Sequence, residues 1–365
     1  MQFIPTAQAG DFLAPLEPRD LKKMEITRIS GYLMRALIVL LVAGIAVAPV
    51  PGEEQQETDL SLFRTDNDSY PLDLDTLMDE RDKLIESYQK SADFTGAPIG
   101  SGDPVIPVNA TIVAYGFSFD KTGIPHEMIA VSQEGTDIAQ LLEKANRWYN
   151  DTAVSTPESA VNVSGGDWAL MGSGRYYYAA EPYGLIEHNF ETYRNSNEMD
   201  PVRDYFAIKQ IWSMDPGFHR YREQGSKWLN ERGLSYIDWS VSSLGNPALH
   251  DWNPSGTTTG PTTVSISFTP MPKFSGSFLN SVTMSDESDP AIERAEWGYT
   301  FNGPDVKNTL QSWSPGSTVS VDASTASGQY DLAYLYAEGT FIEPTTWPFH
   351  RYYSISTYWD TWIIY

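Results

Sequence analysis

The 365-residue chain has no cysteine, which excludes disulfide frameworks, thiolate nucleophiles, cysteine-ligated zinc, iron–sulfur clusters and c-type haem. Positive charge is scarce. Lys and Arg number 24 against 48 Asp and Glu, and the resulting net charge of −24 repels phosphate backbones, so nucleic acid is not an expected partner. The nucleophile elbow G-x-S-x-G, the zinc motif H-E-x-x-H, the P-loop and the dinucleotide fingerprint G-x-G-x-x-G are all missing. Five histidines are scattered along the chain and none pairs with another at metal-ligand spacing. No repeat period emerges, so solenoids and propellers lose support. No apolar run reaches the ~20 residues that span a bilayer.

The longest apolar run, Ala36–Val50, follows basic Arg28 and Arg35 and precedes the acidic stretch Glu53–Asp59. A basic segment, a short apolar segment and a small-residue exit describe a secretory signal over residues 1–52. Ala46-Val47-Ala48 has the cleavage form, but Pro49 moves the expected cut towards Gly52. A start at Met24 or Met34 would give the signal an ordinary length. The alternative is an uncleaved N-terminal anchor. With the signal removed, no stable membrane span is expected, and the destination is the exterior or the cell surface. There, the sequons at Asn67, Asn109, Asn150 and Asn162 would accept glycans, whereas Pro254 disqualifies Asn253.

Beyond the signal, residues 53–69 read as a flexible acidic leader. Leu74, Leu77, Met78, Leu84, Ile85 and Tyr88 form one apolar helical stripe capped by Asp73 or Asp75. A Gly/Pro-rich loop (Gly96–Pro107) leads to two strands, Asn109–Phe119 and Glu127–Ser132. Thr136 then caps a second helix bearing Ile138, Leu141, Leu142, Ala145, Trp148 and Tyr149. These elements compose a small α+β unit, residues 70–152. Residues 165–365 read as a large antiparallel β-sandwich-like region of strands separated by turns, possible to divide near 245–261. His219–Arg232 is expected to be a short helix, Gly172-Ser173-Gly174 a turn entering a strand, and Thr257–Thr269 a strand. The fold class is therefore mainly β.

Three groups carry chemical interest. Asp286, Glu287 and Asp289 crowd one loop, and calcium takes several oxygen ligands on irregular loops, so this is the candidate metal site. Asp66, Asp68, Asp73 and Asp75 form a second acidic group. His250, Asp251 and Trp252 place an imidazole, a carboxylate and an indole together, a candidate ligand pocket. Aromatics make up 13% of the chain, enough that both sheet faces must carry them. Tyr176 and Tyr178 share one face of a strand and Tyr177 the other, so rings on both faces must meet a second layer or a partner. In the C-terminal segment Arg351–Tyr365, Tyr353, Ile355, Thr357, Trp359, Thr361 and Ile363 share a face. A strand paired within the sheet is expected there, with donation to a neighbouring subunit, and hence self-assembly, as the alternative.

These features describe a secreted or cell-surface structural, adhesive or ligand-binding protein without catalysis, whose partner is a glycan or a cell-surface component. Two alternatives stand beside it. One is a secreted glycan hydrolase using paired carboxylates. The other is a β-pore-former in which Ser255–Thr269, alternating Val264, Ile266 and Phe268 with hydroxyls, becomes a membrane hairpin. Export predicts a new N-terminus between Ala46 and Gly52. N-terminal sequencing of protein recovered outside the cell checks this, and an intact Arg35–Val50 segment would contradict it.

Overall fold

The computed structural model describes residues 61–65, 72–133, 137–154, 168–196, 200–256, 258–259, 265–268, 272–275, 281–345 and 349–365. Residues 1–52, read from the sequence as a secretory signal, lie outside them. In chain order come strand β1 (Ser61–Thr65), helix α1 (Leu74–Gln89), β2 (Ile99–Val105), β3 (Ala110–Phe119) and β4 (Pro125–Gln133). Helix α2 (Ile138–Tyr149) is followed by three long strands, β5 (Trp168–Ala180), β6 (Gly184–Asn195) and β7 (Arg203–Pro216). Then come β8 (Leu229–Asp238), β9 (Gly245–Asn253), β10 (Thr258–Thr259), β11 (Ser265–Phe268) and β12 (Pro272–Ser275). The chain continues through β13 (Val282–Asp286), β14 (Arg294–Phe301), β15 (Gln311–Trp313) and β16 (Gly316–Asp322). It ends with the hairpin of β17 (Gln329–Glu343) and β18 (Arg351–Ile364).

Two large sheets result. The first runs β1-β3-β4-β5-β6-β7-β16-β9, with β15 also on β7; the second runs β10-β13-β14-β8-β17-β18-β2. Strands β11 and β12 form a separate hairpin. All pairs are antiparallel except β4 with β5, which are joined through α2. This is the mainly β, sandwich-like fold expected from the sequence, with its two longer helices early in the chain. The strands β3 and β4 of the expected α+β unit share the first sheet with β5–β7.

The sheets are held together by rings. Tyr176, Phe190, Phe206 and Trp212 of the first sheet and Trp297, Tyr299, Trp359 and Ile363 of the second belong to one buried cluster. Trp359 meets Phe190 at 5.1 Å and Tyr176 at 5.9 Å, both edge to face, the geometry that the ring quadrupoles favour. The reverse side of the first sheet carries α2. There Leu141, Ala145 and Trp148 cover Ala114, Met128, Ala130 and Tyr177. Tyr176 and Tyr178 thus face the second sheet while Tyr177 lies under a helix, as strand alternation requires. β18 pairs with β17 on one side and β2 on the other, so the C-terminal segment is an internal strand.

Several expectations change. Within the stretch read as a flexible leader, Ser61–Thr65 is a strand that pairs with β3 and buries Leu62. The Gly/Pro-rich loop contains β2. Its glycines are there for close packing, since a Cβ on Gly102 would come within 3.3 Å of both Phe190 and Trp359. Gly172-Ser173-Gly174 lies inside β5 for the same reason, because a Cβ on Gly174 would sit 2.2 Å from Phe190. The helix expected over His219–Arg232 is confined to Gly217–Arg220; Gly225 takes φ +78° in the turn that follows, and Leu229 opens β8. The N-cap of α2 is Asp137, and Thr136 lies outside the described residues. Asp73 caps α1 as expected, accepting from the Thr76 amide at 3.1 Å. Thr257–Thr269 is not one strand: Thr258–Thr259 joins the second sheet and Ser265–Phe268 the separate hairpin. The chain also changes sheets on both sides of β9.

Where β2 crosses β4, α1 delivers Arg81 into the interior. Its guanidinium donates to Asp103 Oδ1 at 2.7 Å and to Glu127 Oε1 at 3.4 Å, and lies 5.2 Å over the Trp362 ring. Glu127 is fully buried and also accepts from Tyr115 Oη at 2.6 Å and Ser101 Oγ at 3.1 Å. Burial outweighs these donors and pushes its carboxyl up to about 7. The folded state therefore holds a proton that the unfolded chain, with an ordinary Glu, releases near 4.5. That contribution is present below 4.5 and is lost as pH rises through 7. Urea unfolding at pH 5 and pH 8 should show Glu127→Gln gaining on the order of 3 kcal/mol relative to the unsubstituted protein between the two pH values. Parallel stabilities at both would contradict the assignment.

Candidate functional site

The face of the second sheet turned away from the first is laid out by strand register. One cross-strand row reads Glu296, Tyr236, Tyr336 and Tyr358; the next reads Arg294, Asp238, Tyr334 and Asp360. A third carries Gly298, Leu234, Glu338 and Ser356. Tyr236, Tyr334 and Tyr358 are half-buried, Tyr336 is 8% exposed, and Asp360 is open to solvent.

Side chains in a sheet stand roughly perpendicular to it, and here they form a stack. The Arg294 guanidinium lies 4.4 Å from the Tyr236 ring centre. Tyr236 stacks on Tyr336 at 4.8 Å and 17°, and Tyr336 meets Tyr358 at 5.0 Å. Tyr334 stands 6.1 Å from Tyr236 and 5.8 Å from Tyr358. Polar bonds lock the margins. Arg294 Nη2 donates to Asp238 Oδ2 at 2.9 Å, Tyr336 Oη donates to Glu338, and Ser356 Oγ donates to Tyr358 Oη at 3.1 Å. Burial, with the nearby carboxylates and neighbouring phenols, holds the Tyr334 and Tyr336 hydroxyls well above the usual tyrosine range, so both remain O–H groups. Burial also raises the Glu296 carboxyl against the pull of Arg294. The face is a rigid row of phenols bordered by acceptors and closed at one end by a cation.

The residues singled out in the sequence take other places. His250, Asp251 and Trp252 lie in β9, the edge strand of the first sheet, rather than in a loop. His250 Nε2 is 2.7 Å from Ser320 Oγ, its ring lies over Tyr205 at 5.7 Å, and burial lowers its basicity. Trp252 points elsewhere. Its indole N–H donates to both oxygens of Asp286 at 3.1 and 3.0 Å, bringing together two groups that the sequence treats as separate. Asp286 also accepts from the amides of Gly256 at 2.9 Å and Ser288 at 3.1 Å, and these bonds hold it below the usual carboxylate range despite partial burial.

Glu287 accepts from Ser285 Oγ at 2.9 Å, while Asp289 accepts from the Ala291 amide at 2.9 Å and caps a short turn. The three acids of the candidate calcium loop thus serve separate local bonds. Among the described residues, no three His, Asp or Glu side chains converge on a metal position. Of the second acidic group, Asp66 and Asp68 lie outside the described residues, as do the sequons at Asn67 and Asn162. Asn109 and Asn150 are exposed. Val264 of the candidate pore segment is likewise outside, and no described helix is long and apolar enough to cross a membrane.

Of the platform tyrosines, only Tyr358 lies in a segment that the sequence singles out, Arg351–Tyr365. Tyr334-x-Tyr336 carried the signal, a period-two pair in a clear strand, but its neighbour Tyr236 is about 100 residues away along the chain and Arg294 about 40. Compared with known protein families and with curated protein sequences, the chain matches none.

Proposed function

We propose that the protein is an exported or cell-surface binding protein that takes a neutral, polyhydroxylated ligand, a glycan, on the tyrosine platform of its second sheet. One observation supports this reading above the others. Tyr236, Tyr334, Tyr336 and Tyr358 are gathered from three strands onto one solvent-facing surface, with Asp360, Glu338 and Glu296 beside them. Phenol rings offer apolar contact area with only two side-chain torsions to freeze, and they keep a hydroxyl for bonding. Carboxylates beside them accept from sugar hydroxyls. The acidic surface favours neutral over anionic glycans. The carboxyl most strongly raised, Glu127, is sealed in the core and takes no part in this face.

Glycan-array screening followed by calorimetry tests the proposal. Tyr334→Ala and Tyr358→Ala should each weaken binding by about tenfold or more, a loss on the scale of 1–2 kcal/mol typical of interface tyrosines. Binding that survives both substitutions unchanged, or an array without a neutral glycan that binds, would contradict it.

A further inference from the structure

The first sheet carries a second constellation, on the face turned away from the tyrosine platform's sheet. β4 and β5 run parallel with His126 opposite Ser173. Along β4, Ile129 and Val131 face the inter-sheet core, so His126, Met128 and Ala130 point to the reverse side. On β5, Gly174 faces Phe190 of the core, so Ser173 points the same way as His126. His126 Nδ1 lies 2.7 Å from Ser173 Oγ, and His126 Nε2 lies 3.3 Å from Asp120 Oδ2. Serine, imidazole and carboxylate therefore stand in line.

Asp120 is built for one task. It sits in the β3–β4 turn, where its Oδ1 accepts from the Thr122 amide at 2.8 Å, Thr122 Oγ1 at 2.7 Å and the Ile124 amide at 2.9 Å. These bonds fix the carboxylate and leave Oδ2 to His126. Together with the imidazole they outweigh burial and hold its acidity at about 2, so the group stays ionised. An ionised Asp120 keeps the ring proton on Nε2 and leaves Nδ1 as the base facing Ser173. The two ring nitrogens exchange the parts they play in the well-known serine proteases, which the symmetry of proton transfer through imidazole permits. The His126 side chain is 19% exposed and Ser173 is half-buried, so neither residue is sealed in the core. Arg175, two residues along the same face of β5, adds a permanent positive charge nearby.

We infer that Ser173 is an activated nucleophile that accepts acyl groups from carboxylic esters, with His126 as its general base and Asp120 as the positioning residue. In the first step Ser173 Oγ bonds to the ester carbonyl carbon while its proton moves to His126 Nδ1. The carbon–oxygen bond to the alcohol then breaks, and the proton passes from His126 to the departing oxygen. Water repeats the sequence on the acyl-serine, releasing the carboxylic acid and restoring the hydroxyl. No redox partner is needed. This inference stands apart from glycan binding, since no residue is shared between the two faces.

The test is covalent labelling of the full chain with a fluorophosphonate and with p-nitrophenyl acetate, read by peptide mass spectrometry and by the release of p-nitrophenolate. The adduct should map to Ser173 and be absent from Ser173→Ala, whose thermal unfolding should match that of the unsubstituted protein. His126→Gln should slow labelling by about 100-fold or more. Asp120→Asn should slow it by at least about tenfold, and Asp120→Glu should recover part of that loss. No adduct at Ser173, or equal labelling rates with and without His126, would overturn the assignment.

Discussion

The fold depends on filling the gap between two sheets with aromatic rings, because no disulfide is present to hold them. Trp359 is wedged against Tyr176 and Phe190, and Trp212 is packed with Tyr299 at 5.4 Å and Trp313 at 4.5 Å. Each fully buried ring removes a large apolar area from water, at roughly 25 cal/mol per Å². The rings also dictate where glycine must stand. A Cβ on Gly233 would come within 2.4 Å of Trp212, and one on Gly174 within 2.2 Å of Phe190. Core and backbone are thus matched ring by ring to close approach.

That match fixes the outer faces as well. A one-residue slip in any strand would bring its inward rings to solvent, so register is strongly specified. With β8, β14, β17 and β18 locked by Ile237, Trp297, Leu335 and Trp359 inside, the residues between them fall into rows outside. The tyrosine stack and its bordering carboxylates are therefore held by the core beneath them. The same logic places His126 opposite Ser173, since β4 and β5 are pinned by Ile129, Val131, Tyr176 and Tyr178. One packed interior supports two different outer surfaces.

Much of this was legible from the sequence. The stripes of α1 and α2 and the alternation of β17 and β18 announce themselves through periods of 3.6 and 2. The split of Tyr176, Tyr177 and Tyr178 between two faces followed from alternation alone. β2 was hidden because Gly100 and Gly102, which read as loop residues, answer to the proximity of Met171, Phe190 and Trp359. The platform was hidden because its tyrosines come from distant strands and only the sheet order makes them neighbours. Trp252 and Asp286 illustrate the same limit: each is a candidate residue on its own, but their bond depends on β9 and the end of β13 meeting in space. Asp120 and His126 meet across the β3–β4 turn, and Ser173 joins them only through the parallel pairing of β4 and β5.

In the proposed function, the packed interior organises the second sheet's outer face into a ligand-binding surface. Saturation-transfer NMR examines it directly, using a neutral glycan and protein that is deuterated except at tyrosine. Saturation of the ring protons should spread to the sugar and vanish when Tyr236, Tyr334, Tyr336 and Tyr358 are all replaced by alanine. Sugar signals that stay saturated in that quadruple variant would place the ligand elsewhere and contradict binding on this face.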